Sequence, residues 1–219
     1  MKEKILLSWS GGKDSCMSLY ELRRSGYSDV TLITTITEGY DRISIHGVRR
    51  ELLEMQADSL GLRLSSVYIP KDSTNEQYES CLKETLAEHR EEGIDKVAFG
   101  DIFLEDLRQY RVKVLKDLGM KAIFPIWGRD TAELLREFIE LGFKAVLSCI
   151  NPKFLDGSFA GRAIDGEFVE QMPEGVDPCG ENGEYHSFVY DGPIFGEEIK
   201  LRQGEVVLRD EIYYCELLP

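Results

Sequence analysis

The hexamer Ser10-Gly11-Gly12-Lys13-Asp14-Ser15 gathers the parts of an anion site into one turn. Its two glycines permit positive φ and leave room for a phosphate against the backbone. The N–H groups that follow open a helix and point at the anion. Ser10 and Ser15 supply hydroxyl donors, and Lys13 supplies a mobile positive charge. Asp14 would repel a bare phosphate, so its carboxylate points to Mg²⁺ held between it and a pyrophosphate. The spacing is neither Gly-x-x-x-x-Gly-Lys-[Ser/Thr] nor Gly-x-Gly-x-x-Gly. The plain alternative is a polar turn that joins strand to helix, and the buried apolar run just before it argues against that.

Other residue groups have chemical potential but read two ways. Glu181-x-x-Glu184-x-His186 lies in a Gly-rich stretch and suits metal binding, proton transfer or a solvated acidic loop. Trp127 can stack on adenine or a quaternary ammonium, or fill a hinge between domains. Arg129 can clamp a phosphate or carboxylate, or pair with Asp130 at the surface. Gly100-Asp101 ends a strand, so Asp101 can orient a nucleotide or cap a helix. Arg108 and Arg111 share a helix face and fit a phosphate or an exposed surface equally. His46 precedes a helix and is a candidate nucleotide contact. His89 reads as a surface residue. Cys16 reads as core packing, and Cys179 stands beside the acidic motif as a sulfur-chemistry alternative.

The elements that must position these groups alternate in the first half. Strand-like runs at Lys4–Trp9, Val30–Ile36, Leu64–Ile69, Lys96–Gly100 and Lys121–Ile126 are separated by helical spacing at 15–25, 48–60, 74–92 and 104–118. That pattern predicts βαβ units: a five-stranded, mainly parallel sheet with helices on both faces, of the Rossmann-like α/β class. Ligands then bind beyond the carboxyl ends of the strands, where the Gly-rich turn lies. The second half predicts a helix at 131–141, a strand at 145–150, an irregular stretch over 151–195 and a terminal hairpin turning at Gln203-Gly204. We expect two domains, 1–126 with the phosphate turn and a smaller α+β unit over 127–219, with a soft boundary near 126–129.

The chain has 219 residues and a net charge of −14. The charge is uneven, with −3 over residues 1–126 and −11 over 127–219. Nucleic-acid enzymes need a basic surface to offset phosphate charge. The overall balance argues against a nucleic-acid partner, and the acidic half fits either solubility or a cationic partner. Five cysteines with no Cys-x-x-Cys pair predict reduced thiols rather than disulfides or zinc. No apolar run reaches the roughly 20 residues needed to span a bilayer. No signal-peptide pattern is present, so we expect a cytoplasmic protein with no membrane partner and a homodimer as the oligomeric alternative.

The Ser-Gly-Gly-x-Asp-Ser turn after the first strand resembles the PP-loop of the N-type ATP pyrophosphatases, of the adenine nucleotide alpha hydrolase fold. Gly100-Asp101-Ile102, Arg108-Gln109-Tyr110-Arg111, Phe124-Pro125-Ile126-Trp127-Gly128-Arg129-Asp130 and Gly180-Glu181-Asn182-Gly183-Glu184-Tyr185-His186 resemble the diphthine–ammonia ligase family in particular. The likeness covers nearly the whole chain and keeps motif order; Asn182 stands where members often have Gly, and Tyr40–Gly47 looks like a subgroup variant. It implies an ATP-dependent amide ligase that adenylates a carboxylate, releases pyrophosphate and lets ammonia displace AMP. The implied acceptor is diphthine on elongation factor 2, with free ammonium as the nitrogen donor and Mg²⁺ beside ATP. The implied ATP site is Ser10–Ser15 with His46, Gly100 and Asp101. Catalysis is expected from Lys13, Asp14, Glu184 and His186, with Glu184 as the base that deprotonates ammonium and His186 titrating near 6.5. Substrate contacts are expected from Trp127, Arg129, Glu181, Glu184 and Tyr185, and an aromatic pocket for the trimethylammonium from Trp127, Tyr185, Phe188 and Tyr190. A tRNA-modifying PP-loop enzyme and a nucleotide sensor without turnover are the alternatives.

Overall fold

The computed structural model describes residues 3–39, 42–43 and 47–219. The first half runs β1 (Lys4–Ser8), α1 (Lys13–Arg24), β2 (Asp29–Thr37), β3 (Arg42–Ile43), α2 (Arg50–Leu60), β4 (Arg63–Ile69), α3 (Asn75–Glu91), β5 (Lys96–Ala98), α4 (Glu105–Asp117) and β6 (Lys121–Ile123). Strands β4, β2, β1, β5 and β6 lie side by side in that order, all parallel. The expected five-stranded parallel sheet is therefore present. Two-residue β3 adds a sixth, antiparallel strand beyond the end of β1, against Ile36 and Thr37 of β2.

Alternation along the strands sends side chains to two cores. Ile5 and Leu7 face α1 and α2, meeting Met17, Leu19, Leu52 and Leu53. Leu6 points the other way and joins Ile33, Val67, Leu86 and Leu115, which brings in α3 and α4. Burying both faces is what the near-continuous apolar strands require. From β1 the chain moves outward through β2 and β4, then returns to the other side of β1 for β5 and β6. That reversal opens a crevice between the carboxyl ends of β1 and β5, the usual ligand position in such sheets.

The second half contributes α5 (Thr131–Glu140), β7 (Lys144–Ile150), a single 3₁₀ turn at Gly157–Phe159, α6 (Gly166–Glu170), β8 (Tyr185–Asp191), β9 (Arg202–Arg209) and β10 (Ile212–Leu218). Its sheet is antiparallel with order β8-β7-β10-β9. Phe138, Val146 and Phe188 from this half sit in the same apolar cluster as Met17 and Leu53. The second sheet is thus packed onto the α1–α2 face of the first.

Three expectations need correction. Residues 185–191, read as part of an irregular stretch, form β8, which pairs with β7. The terminal hairpin does not turn at Gln203-Gly204, which lie inside β9. It turns at Asp210-Glu211, both at positive φ (47° and 64°), the backbone that a two-residue hairpin turn demands. His89 is buried, 3% exposed, with Nε2 2.8 Å from Ser65 Oγ.

Candidate active site

The phosphate turn joins β1 to α1 and is gripped from three sides. Gly11 takes φ 75°, and a Cβ there would meet Gln56 Oε1 at 2.7 Å. Gln56, fully buried on α2, donates from Nε2 to the carbonyls of Gly11 (2.9 Å) and Val189 (2.6 Å), while Oε1 accepts from Trp9 Nε1 (2.9 Å). One amide therefore ties β1, α2 and β8 together. On the next side, Val189 N donates to Gly11 O (2.9 Å) and Lys13 N donates to Ser187 Oγ (3.2 Å). On the third, a Cβ on Gly100 would lie 3.0 Å from the Asp14 carbonyl carbon, so the position two residues past β5 must be glycine for the turn to sit this close. Neither Gln56 nor Ser187 stood out in the sequence. A polar residue at a core-facing position of α2 was the available signal for Gln56.

A cavity of about 220 Å³ opens at this turn. Ser10, Gly12, Lys13, Asp14 and Ser15 form one wall, Gly100, Asp101 and Arg111 a second, and Glu181, Tyr185 and His186 a third. A neighbouring cavity of about 190 Å³ lies on the α3–α4 side of the sheet, lined by Trp9, Ile33, Thr34, Thr35, Tyr78 and Phe99 among others. Ser8, Ser10 and Arg111 line both cavities, so they adjoin at the end of β1.

Lys13 is buried, with Nζ 2.9 and 2.8 Å from the two Asp14 oxygens and donating to the Cys179 carbonyl. It also stands 5.3 Å from the centre of the Tyr185 ring. Burial alone would pull its ammonium down, but Asp14, Tyr185 and Cys179 outweigh that and hold it above the usual lysine value. Lys13 is a fixed cation at neutral pH. Asp14 is raised by burial, against the pull of Lys13. Among the described residues no group of three or more His, Cys, Asp or Glu side chains is placed to hold a metal alone. Magnesium shared with phosphates needs only one or two carboxylates, and Asp14, bordering the cavity, fits that donor set.

Arg111 grips Asp101 with two bonds, Nε to Oδ2 at 2.5 Å and Nη2 to Oδ1 at 3.0 Å, and lies 4.4 Å over the Phe99 ring. Asp101 is therefore a partner of Arg111 rather than a helix cap. Arg108 covers Trp127 (4.6 Å) and Phe124 (5.4 Å).

The 177–187 segment forms the far wall. Asp177 accepts from the N–H groups of Cys179 (3.1 Å) and Glu181 (2.9 Å) and from Thr131 Oγ1 (2.7 Å). Glu181 accepts from Ile102 N at 2.7 Å and borders the cavity. Burial pushes its carboxyl up to about 7, opposed by the Ile102 bond and reinforced by Asp14.

Several residues expected at the site have other partners in the fold. Glu184 is 1% exposed and accepts from Asp177 N (3.1 Å), Asn182 N (2.9 Å) and Asn182 Nδ2 (3.0 Å). It staples its own loop and does not border the cavity. His186 does border it, but burial and then Lys13 lower its pKa to about 4, so the ring is neutral at pH 7. Arg129 pairs with Glu137, and Trp127 stacks under Arg108, so neither reaches the cavity. The aromatic pocket is not assembled: Phe188 is fully buried, and Tyr185 lies beneath Lys13 with its hydroxyl donating to Pro178 O. Cys179 is buried, its thiol pushed up to about 12 mainly by that burial, which removes it as a thiolate. His46 lies outside the described residues.

Two family models match the chain. The diphthamide synthase N-terminal domain matches residues 1–122 and the diphthamide synthase C-terminal domain matches residues 130–217. A diphthine–ammonia ligase of Danio rerio is 30% identical, covering 92% of this chain and 88% of its own. The diphthine–ammonia ligase of Homo sapiens is 28% identical over 91% and 83%. That of Schizosaccharomyces pombe is 28% identical over 98% of this chain, which spans only 38% of that longer protein.

Proposed function

This chain belongs to the diphthamide synthase family, whose relatives are named diphthine–ammonia ligases, and from that premise we propose that it is an ATP-dependent amide ligase. The supporting observation is the pair of adjoining cavities at the end of β1. One offers the start of α1 and Lys13 to phosphates, and the other offers the Thr34–Thr35 edge and Phe99 to a nucleoside. ATP laid across them has its α-phosphate near Ser10 and Arg111, which border both.

A carboxylate oxygen of the acceptor attacks the α-phosphorus, and the bond to pyrophosphate breaks. Lys13 and the opening N–H groups of α1 stabilise the departing charge. Asp14 would hold Mg²⁺ together with phosphate oxygens, and the ion would neutralise pyrophosphate. Ammonia then attacks the acyl carbon, and AMP leaves. Ammonium must first lose a proton, and we assign that step to Glu181. It borders the cavity and is poised near neutrality, where a base works best. Neutral His186 stands in the same wall to donate or accept a hydrogen bond.

The proposed acceptor is diphthine on elongation factor 2. Its trimethylammonium suits a half of the molecule that carries −11. The test is pyrophosphate release by purified protein with ATP, Mg²⁺, ammonium and diphthine-bearing elongation factor 2. We expect release that needs the acceptor and is lost in Lys13→Ala. Release of phosphate without pyrophosphate would reject the proposal.

A further inference from the structure

The second sheet ends in an uncovered strand. Among the described residues β9 pairs only with β10, so the backbone groups along its other side form a free edge there. On one face, Leu208 lies opposite Tyr213 and Val206 opposite Cys215. The segment around the 3₁₀ turn covers that face over β10: a Cβ on Gly157 would touch the Tyr213 ring, and one on Gly161 would touch Cys215 Sγ. The cover stops there, leaving Val206 46% and Leu208 57% exposed. Natural proteins usually blunt such an edge with charge. Here β9 carries Arg202, Glu205 and Arg209, and a β-bulge sets both Gly204 and Glu205 against Glu216. On the Val206 side of that bulge, Glu205 and Arg209 occupy the face opposite Val206 and Leu208 and have no ion-pair partner among the described residues.

We propose that β9 pairs antiparallel with β9 of a second copy of this chain about a two-fold axis at Val207. The strand's own sequence selects the partner and the register. Centring on Val207 places Glu205 opposite the other copy's Arg209, twice, and Val206 opposite Leu208, twice. A perpendicular two-fold keeps each face on its own side, so only registers shifted by whole residues compete. Centring on Val206 leaves both charges opposite uncharged Val207 and Gln203. Centring on Glu205 sets two glutamates face to face, and centring on Leu208 sets Glu205 against Glu211. One register alone matches charge with charge and apolar with apolar. It would join the two four-stranded sheets into a continuous eight-stranded one and mutually cover the bare valine and leucine. This pairing lies in a separate part of the fold and does not depend on the ligase reading.

The test is sedimentation of the full chain as wild type, Glu205→Arg, Arg209→Glu, the double variant, and an equimolar mixture of the two single variants. We expect wild-type dimers. Each single variant opposes like charges twice and should dissociate at least about tenfold more readily. The double variant should recover dimers, and the mixture should form heterodimers although neither component self-associates. The mixture also controls for folding, because misfolded variants cannot rescue one another. A wild type monomeric through the micromolar-to-millimolar range, single variants that dimerise as the parent does, or a mixture that stays monomeric would each overturn the proposal.

Discussion

Gln56 Nε2 donates to the Gly11 carbonyl at 2.9 Å, and this contact fixes the phosphate turn to a helix 45 residues away. The same amide reaches Val189 in β8, so the turn, α2 and the second sheet share one buried hub. Replacing Gln56 by Leu would leave the Trp9 N–H without its acceptor and take a donor from the Val189 and Gly11 carbonyls, although Gly11 keeps the Val189 N–H. Each unsatisfied buried group costs roughly 1–3 kcal/mol. Chemical denaturation should show a loss within that range or above it, and calorimetry should show weaker ATP binding. An unchanged midpoint would mean that the hub is redundant.

Gly100 is tested by the smallest possible change. In Gly100→Ala the new methyl would stand 3.0 Å from the Asp14 carbonyl carbon, which is backbone and cannot swing aside. The turn must shift, and ATP affinity should fall with only modest loss of stability. Gly166→Ala meets nothing within 4 Å and serves as the control. Equal ATP affinity in both variants would remove the close-approach argument.

Glu181 makes a pH prediction whose sign is fixed. Its carboxyl is raised from 4.5 to about 7, and the ionised form is the base. Ammonia-dependent turnover should therefore rise with pH through about 7 and fall below it. Bound phosphates would move the midpoint higher. Glu181→Gln should lower ligation by about 10²–10⁴-fold, the usual share of general base catalysis, while ATP–pyrophosphate exchange persists. Loss of exchange in parallel with ligation would place Glu181 in nucleotide binding instead.

Glu184→Gln should behave differently from Glu181→Gln. Its carboxylate receives two backbone N–H groups and one amide, so the variant weakens the 177–184 loop. We expect a lower melting temperature and an unshifted pH midpoint. A shifted midpoint with unchanged melting would return Glu184 to the chemistry.

His186 couples pH to folding. Its pKa is lowered from 6.5 to about 4, so below 6.5 the unfolded chain takes up a proton that the folded chain refuses. Its contribution to stability is full above 6.5 and is lost as pH falls toward 4. His186→Gln should flatten that part of the stability–pH curve, and an unaltered curve would contradict the neutral ring.

Much of the architecture was legible because it rests on local patterns. The alternation of β-branched runs with helical spacing yields the parallel sheet, and glycine marks the turn after β1. What was hidden depends on contacts between distant segments. Tyr185–Asp191 is aromatic enough for a strand, but it runs on from the Gly- and Pro-rich stretch before it, and the pairing with β7 defines it. Glu181 and Glu184 look equivalent three residues apart. One meets the N–H of Ile102 across the cavity, and the other turns back onto Asn182. Arg129 and Trp127 read as ligands because their types bind phosphates and rings, but Glu137 and Arg108 already occupy them. Spacing gives the presence of such groups, and only the fold gives their partners.

The account turns on which bond of ATP is broken and by which oxygen. The direct measurement is a turnover with ¹⁸O in the acceptor carboxylate, followed by mass spectrometry of the nucleotide product. Adenylation transfers that oxygen to the α-phosphate, so AMP should carry one ¹⁸O and pyrophosphate none. Formation of ADP, or AMP without the label, would contradict it.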